Sequence, residues 1–265
     1  MVGLISNFFK VVLLTVLITQ IQAQENKKYK IHDENRPRPD SVTPSTFSQM
    51  ATPPSDAIIL FDGKDLSEWQ SGGKGKKNVK WKIMDNFFEV KKGTGSIRTK
   101  KEFGDVQLHI EWATPIKIDG ESQGRGNSGV FFMTGGGGYG YEVQVLDSYN
   151  NPTYADGQAS AIYGQYPPTV NASAKPGEWQ TYDIIFIRPR FGELGNLLQP
   201  SYLTVFHNGI LVHHYRELMG PTSHSVRTNY SAHPDRLPIS LQDHGNPVRY
   251  KNIWVRDLEA VNIKN

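Results

Sequence analysis

The sequence predicts an all-β protein, a two-sheet jelly-roll β-sandwich that occupies residues 57–262 as one domain. Three observations predict it. Apolar and polar residues alternate in short runs from Ala57 onward, and 25 glycines and 16 prolines supply the turns between them. No stretch after residue 57 keeps a helical period over three turns. About a dozen such strands in about 200 residues bury their apolar faces only by packing as two sheets. A propeller would need a repeat of blade length, and none is present.

The first element is a processing signal. Lys10 is the only charge before Glu25, and the apolar run Val11 to Ile18 is too short to span a bilayer. Ala23 places a small residue at the expected cut, so residues 1–23 read as a signal peptide and Gln24 as the mature terminus. The mature chain is then periplasmic or secreted and does not span a membrane. It contains no cysteine, so its stability rests on a hydrophobic core rather than disulfides, and attachment through a lipidated cysteine is excluded. Residues 24–56, with Arg36-Pro37-Arg38-Pro39 and Thr52-Pro53-Pro54-Ser55, are too polar to bury much surface. They read as a flexible polar lead, mobile or lying along the surface.

Strands follow at 57–61, 79–84, 86–90, 95–99, 106–112, 129–133, 141–146, 179–188, 202–207, 210–215, 237–242 and 250–258. In the run 106–112, Val106, Leu108, Ile110 and Trp112 share one face, and Gln107, His109 and Glu111 share the other. In the run 141–146, Val143 and Val145 oppose Glu142 and Gln144. Asn208-Gly209 is the favoured two-residue turn of a tight hairpin between 202–207 and 210–215.

Charge narrows the partners. The net charge of +3 falls to +2 once Lys10 is removed. The densest basic cluster, Lys74-Gly75-Lys76-Lys77, suits a solvated loop, so nucleic acid is excluded as a partner. The chain lacks GxxxxGK[ST], GxSxG and HExxH patterns, which argues against phosphate-loop, serine-hydrolase and zincin chemistry.

The polar strand faces carry directional hydrogen-bonding groups where lysine and threonine would be ordinary. His109 and Glu111 lie on one strand, Glu142 and Gln144 on another, and Gln242 and His244 near a third. Such groups suit sugar hydroxyls, with aromatic rings covering the C–H faces. The loop Gly124 to Val130 adds Arg125, Asn127 and Ser128, although a plain hairpin connection explains it equally well. Glu142 and Asp147 are five apart and face opposite sides of a regular strand, so Glu142 is the candidate base and Asp147 a structural residue. A carboxylate, histidine and amide set could hold a divalent cation if the fold brings one together; no sequence motif assigns a metal site.

Phe61-Asp62-Gly63-Lys64-Asp65-Leu66 with Trp69, Gly104 to Trp112, Gly126 to Gly129, Tyr141 to Ser148, His207 to Gly209 and Leu241 to Gly245 followed by Asn252-Ile253-Trp254 together resemble the 3-keto-disaccharide hydrolase family, formerly DUF1080. The resemblance covers about residues 57–260 and implies a concanavalin A-like jelly roll. Two departures stand out: the glycine run 135–138, and Ala159-Ser160-Ala161 where the family pattern has Ala-Gly-Ala. The resemblance implies an exported enzyme acting on 3-keto-glycosides made by a partner sugar 3-dehydrogenase. A C3 ketone acidifies the C2 proton, so a base forms an enolate and the C1 substituent leaves by β-elimination, with water addition completing hydrolysis. On this reading Glu142 or His244 is the base and Glu111 the reserve. His109, Arg125, Asn127, Ser128, Gln144 and Gln242 then bind substrate. The alternatives are a non-catalytic carbohydrate-binding module and a retaining glycosidase.

Overall fold

The computed structural model describes residues 29–44, 52–73, 78–135 and 140–259. The signal segment, the cut at Gln24, the Lys74–Lys77 cluster and glycines 136–138 lie outside the described residues.

Two antiparallel sheets face each other across one core. The larger runs in the order β13 (Ile210–Glu217), β12 (Tyr202–His207), β9 (Gln180–Ile187), β6 (Val106–Ala113), β15 (Arg249–Asp257), β4 (Phe87–Glu89) and β3 (Lys82–Met84), and β1 (Ile58–Phe61) also pairs with β15. The smaller runs β2 (Trp69–Ser71), β5 (Ile97–Thr99), β14 (Ser240–Leu241), β7 (Ser128–Phe132) and β8 (Tyr141–Val145). A separate hairpin joins β10 (Arg190–Phe191) to β11 (Leu197–Gln199). The chain is an all-β, jelly-roll-like sandwich, as its alternation predicts. Sequence patterning did not anticipate β2, β10 and β11, each of two or three residues.

The alternating residues build the core. Val106, Leu108, Ile110 and Trp112 of β6 meet Val130 and Phe132 of β7 and Val143 and Val145 of β8 in a single buried cluster. Two buried hydroxyls cross between the sheets: Tyr182 donates to the Gln144 carbonyl at 2.8 Å, and Tyr250 to the Ser128 hydroxyl at 2.6 Å. Such paired polar groups avoid the desolvation cost of an unmatched hydroxyl. Asn208 (φ 51°) and Gly209 (φ 76°) both adopt the left-handed backbone of the type I′ hairpin turn.

The lead contains a docked strap. Ser41 bridges Asn171 in parallel, and the Arg38 Nε donates to the Thr153 carbonyl at 2.7 Å. Arg36 is buried, donating to the Gln165 carbonyl at 3.2 Å. The described residues 29–44 thus lie along the surface, tied to the sandwich by arginine bonds to backbone carbonyls.

Candidate functional site

The outer face of the smaller sheet places the candidate groups. Register aligns Gln70, Arg98, Ser240, Phe131 and Glu142 in one row across β2, β5, β14, β7 and β8. The neighbouring row of Ile97, Leu241, Val130 and Val143 points into the core. Glu142 and Gln144 therefore face away from the core, as their alternation with Val143 and Val145 requires. They line a pocket of about 380 Å³ together with Gln123, Asn127, Tyr154, Tyr163, Thr222, His224, Gln242 and His244. A wider cleft of about 750 Å³ lies at the β2–β5 side, lined by Arg98, Lys100 and Glu102 among others. The smaller pocket is the chemical candidate, because it joins a buried carboxyl to histidines, phenols and amides.

Glu142 lies at the bottom of this pocket. It is 4 % exposed, and burial pushes its carboxyl well above the ordinary range. Among the described residues no lysine, arginine or histidine pairs with it in a salt bridge. The Gln144 amide is best satisfied with its nitrogen donating to Glu142 Oε1 at 3.1 Å and to the Ser128 carbonyl at 2.9 Å. Gly129 makes room for the carboxyl, since a Cβ there would stand 2.6 Å from Glu142 Oε1 and 2.7 Å from the Phe131 ring. The Glu142 N–H donates to the Thr222 hydroxyl at 3.1 Å, and its carbonyl accepts from the Tyr163 N–H at 3.3 Å.

A loop beyond β8 forms the wall. The Gln144 N–H donates to the Ala161 carbonyl, the Ser160 N–H to the Gln144 carbonyl, and Ile162 bridges Val143. These bonds cover the edge of β8 and bring Tyr154 and Tyr163 over Glu142. The two phenol oxygens lie 2.8 Å apart, and the Tyr163 oxygen lies 3.3 Å from His224 Nδ1. Desolvation raises the Tyr154 phenol further above its usual range, so it stays protonated and able to donate. Asn127 donates to the Gln123 carbonyl at 2.7 Å, and Gln123 in turn donates to the Gly157 carbonyl at 2.9 Å. The amides are thus set by their neighbours rather than free to rotate.

Of the residues chosen from sequence, Glu142, Gln144, Asn127, Gln242 and His244 come together here. His109 and Glu111 do not. Their strand, β6, belongs to the larger sheet, so the single surface expected for all four polar positions does not exist. Alternation tells which residues share a face of one strand; it carries no information about which sheet the strand joins. Both residues are buried and bound up with each other: His109 Nδ1 lies 2.7 Å from Asp183, Glu111 pairs with Lys251 at 3.4 Å and accepts from Asn252 at 2.8 Å, and Trp254 stacks on the imidazole. Ser128 also faces inward, in phase with Val130 and Phe132, where it accepts from Tyr250. Arg125 is held by Asp147 at 2.6 Å and by the Tyr149 carbonyl at 2.8 Å. It is a structural cation rather than a ligand group, and Asp147 is its partner.

Sequence reasoning missed Gln123, Tyr154, Tyr163, Thr222 and His224. All lie outside regular strands, where no period marks a face. The demand of a sugar site for aromatic cover was the available signal, but nothing in the sequence chose among 12 tyrosines. Among the described residues no three His, Asp or Glu side chains converge to hold a metal ion, and no helix is long and apolar enough to cross a membrane.

These features define a jelly-roll sandwich with a polar pocket, built around one unpaired carboxyl, on its smaller sheet. The chain belongs to the 3-keto-alpha-glucoside-1,2-lyase-like domain family, which matches residues 56–256. It is 27 % identical to a 3-keto-disaccharide hydrolase from Bacteroides thetaiotaomicron, over 76 % of this chain and 78 % of that protein. A crystal structure from Parabacteroides distasonis, described provisionally as a glycosyl hydrolase, shares 44 % identity with a TM-score of 0.73. That match covers 84 % of this chain and 93 % of the other. A second such protein from the same organism shares the fold at 21 % identity and a TM-score of 0.56, over 76 % of this chain and 94 % of the other.

Proposed function

We propose that the protein is an exported enzyme that cleaves 3-keto-glycosides, with Glu142 as the base that removes the C2 proton. The observation that carries this reading is that the pocket is lined by a single carboxylate. Ordinary retaining and inverting glycosidases need two, about 5–10 Å apart, one of them as acid. A 3-keto sugar removes that need, because the ketone stabilises the carbanion formed at C2. The buried carboxyl of Glu142 is a stronger base than a solvated one once ionised, which suits proton removal from carbon near neutral pH.

Glu142 takes the C2 proton and the electron pair moves into the C3 carbonyl as an enolate. The enolate collapses to a C1=C2 double bond and the C1–O bond breaks, the departing oxygen taking a proton from a pocket donor. Tyr154 and Tyr163 are placed to give that proton, and His224, exposed at the far end of the phenol pair, can replenish it from solvent. Gln144, Asn127 and Gln242 offer amides to the sugar hydroxyls and the developing enolate oxygen. Water added at C1, with a proton returned to C2, gives net hydrolysis; release before water adds gives a lyase. His244 at the rim is the alternative base. The substrate implies a sugar 3-dehydrogenase acting upstream, and residues 1–23 imply that both work outside the cytoplasm.

The deciding experiment incubates the purified protein with a simple glucoside and with its 3-keto counterpart. Turnover of the keto sugar alone is expected. Turnover of the plain glucoside, or binding of either without product, overturns the proposal in favour of a retaining glycosidase or a binding module respectively.

A further inference from the structure

The strap brings a side chain to the site from outside the matched family region, which begins at residue 56. His32 stacks on Tyr154 with ring centroids 4.0 Å apart and planes inclined by 21°. Its edge meets Tyr163 at 5.0 Å, and the His224 ring lies 5.5 Å away. One imidazole therefore touches all three members of the phenol–phenol–imidazole chain that walls the pocket. Its backbone is pinned as well, the His32 N–H donating to Asp156 Oδ2 at 3.2 Å. On either side, Ile31 packs over Gly164, where a Cβ would come within 2.8 Å of it, and Arg36 lies 3.9 Å from Asp156.

Two features mark this ring as more than filler. His32 sits in the left-handed backbone region at φ 56°, which a histidine occupies only at some conformational cost. Its Nε2 is also shut from solvent with no hydrogen-bond partner. Desolvation lowers its pKa against the opposing pull of Asp156, which favours the neutral imidazole.

We propose that His32 is a positioning residue of the Glu142 site: stacked behind Tyr154, it fixes the Tyr154–Tyr163–His224 chain in the orientation that donates to the leaving oxygen. This rests on the reading of Glu142 as the base. The strap is thus part of the enzyme's working site, and the unit needed for activity starts before the matched region.

The test uses the full chain and a 3-keto-glycoside. His32→Gly keeps the left-handed backbone without strain and removes the ring. Its kcat is expected to fall about 10–100-fold with KM changed by less than about threefold, since an orientation needed in the transition state is lost while ground-state contacts remain. Added imidazole restores part of the loss, and His32→Phe, which keeps a stacking ring, retains most of the activity. If His32→Gly does not fold, His32→Asn, which tolerates the same backbone region but offers no ring, replaces it. A folded ringless variant with unchanged kcat, or a Phe variant as impaired as the ringless one, overturns the inference. Glu142→Gln is assayed in parallel. If it is inactive while the ringless variant is normal, only the role of His32 falls; if it is fully active, the reading of the site falls and the inference with it.

Discussion

At the scale of single residues, Glu142 and Glu111 separate two uses of a buried carboxyl. Glu142 has no cation beside it and stays above the ordinary carboxylate range; Glu111, fully buried, is balanced by Lys251 and Asn252. Glu142→Gln is expected to cut kcat/KM by about 10²–10⁴-fold, the usual range for a lost general base, while thermal stability stays the same or rises. The sign follows from linkage. A carboxyl whose folded pKa is raised contributes stability below its unfolded pKa and loses it as pH climbs through the folded value, so the neutral amide removes a penalty. In the wild type, kcat/KM should rise with pH through a limb lying above the normal glutamate range, and a limb near pH 4 would count against Glu142 as the base. Glu111→Gln should do the reverse, lowering stability by about 1–3 kcal/mol by leaving Lys251 without its counter-charge and leaving kcat/KM unchanged. Denaturant midpoints and initial rates on the two variants check both statements.

Among the elements, the wall loop holds a serine in the left-handed backbone region: the φ of Ser160 is 64°. A left-handed residue with a Cβ costs about 1–2 kcal/mol relative to glycine, offset in part by the Ser160 hydroxyl bonding the Ala159 carbonyl. Ser160→Gly is accordingly expected to stabilise the protein by about 0.5–1 kcal/mol, or about 1–4 °C in a thermal melt. A lower melting temperature would mean that the serine hydroxyl contributes more than the backbone loses. The Ser160 position also links loop to sheet, since its carbonyl meets His213 Nε2 at 2.9 Å and its N–H closes the edge of β8.

For the whole molecule, stability should depend on pH from both sides. His207 and His213 are fully buried and desolvation depresses each to about 3, so both stay neutral in the fold. The unfolded chain takes up protons on them below about pH 6.5, and stability is lost as pH falls through that window. His109 behaves oppositely. Burial would lower it, but the bond to Asp183 and then the neighbouring Glu111 outweigh this and raise it to about 9. Its contribution is complete below about pH 6.5 and is lost as pH rises through 9. Denaturant midpoints should therefore fall on both sides, and in the Glu142→Gln background, which removes that carboxyl's own loss with rising pH, His109→Gln should flatten the alkaline side. A double-variant profile that still falls between pH 7 and 9 would assign the alkaline loss to another group.

Periodicity alone determined the sheet class and the faces of β6 and β8, because alternation is imposed by backbone geometry and needs no knowledge of neighbours. Glu142 and Gln144 could be picked for that reason: their strand displays them opposite Val143 and Val145. The tertiary structure decided which sheet each strand enters, and this separated His109 and Glu111 from the pocket. It also turned Ser128 inward, locked Arg125 to Asp147, and brought Tyr154, Tyr163, His224 and His32 from three irregular segments to one wall. The physical reason is that contacts across loops depend on chain closure in three dimensions. A residue in an irregular segment has no repeat to mark its direction, so its neighbours become known only once the chain has folded back on itself.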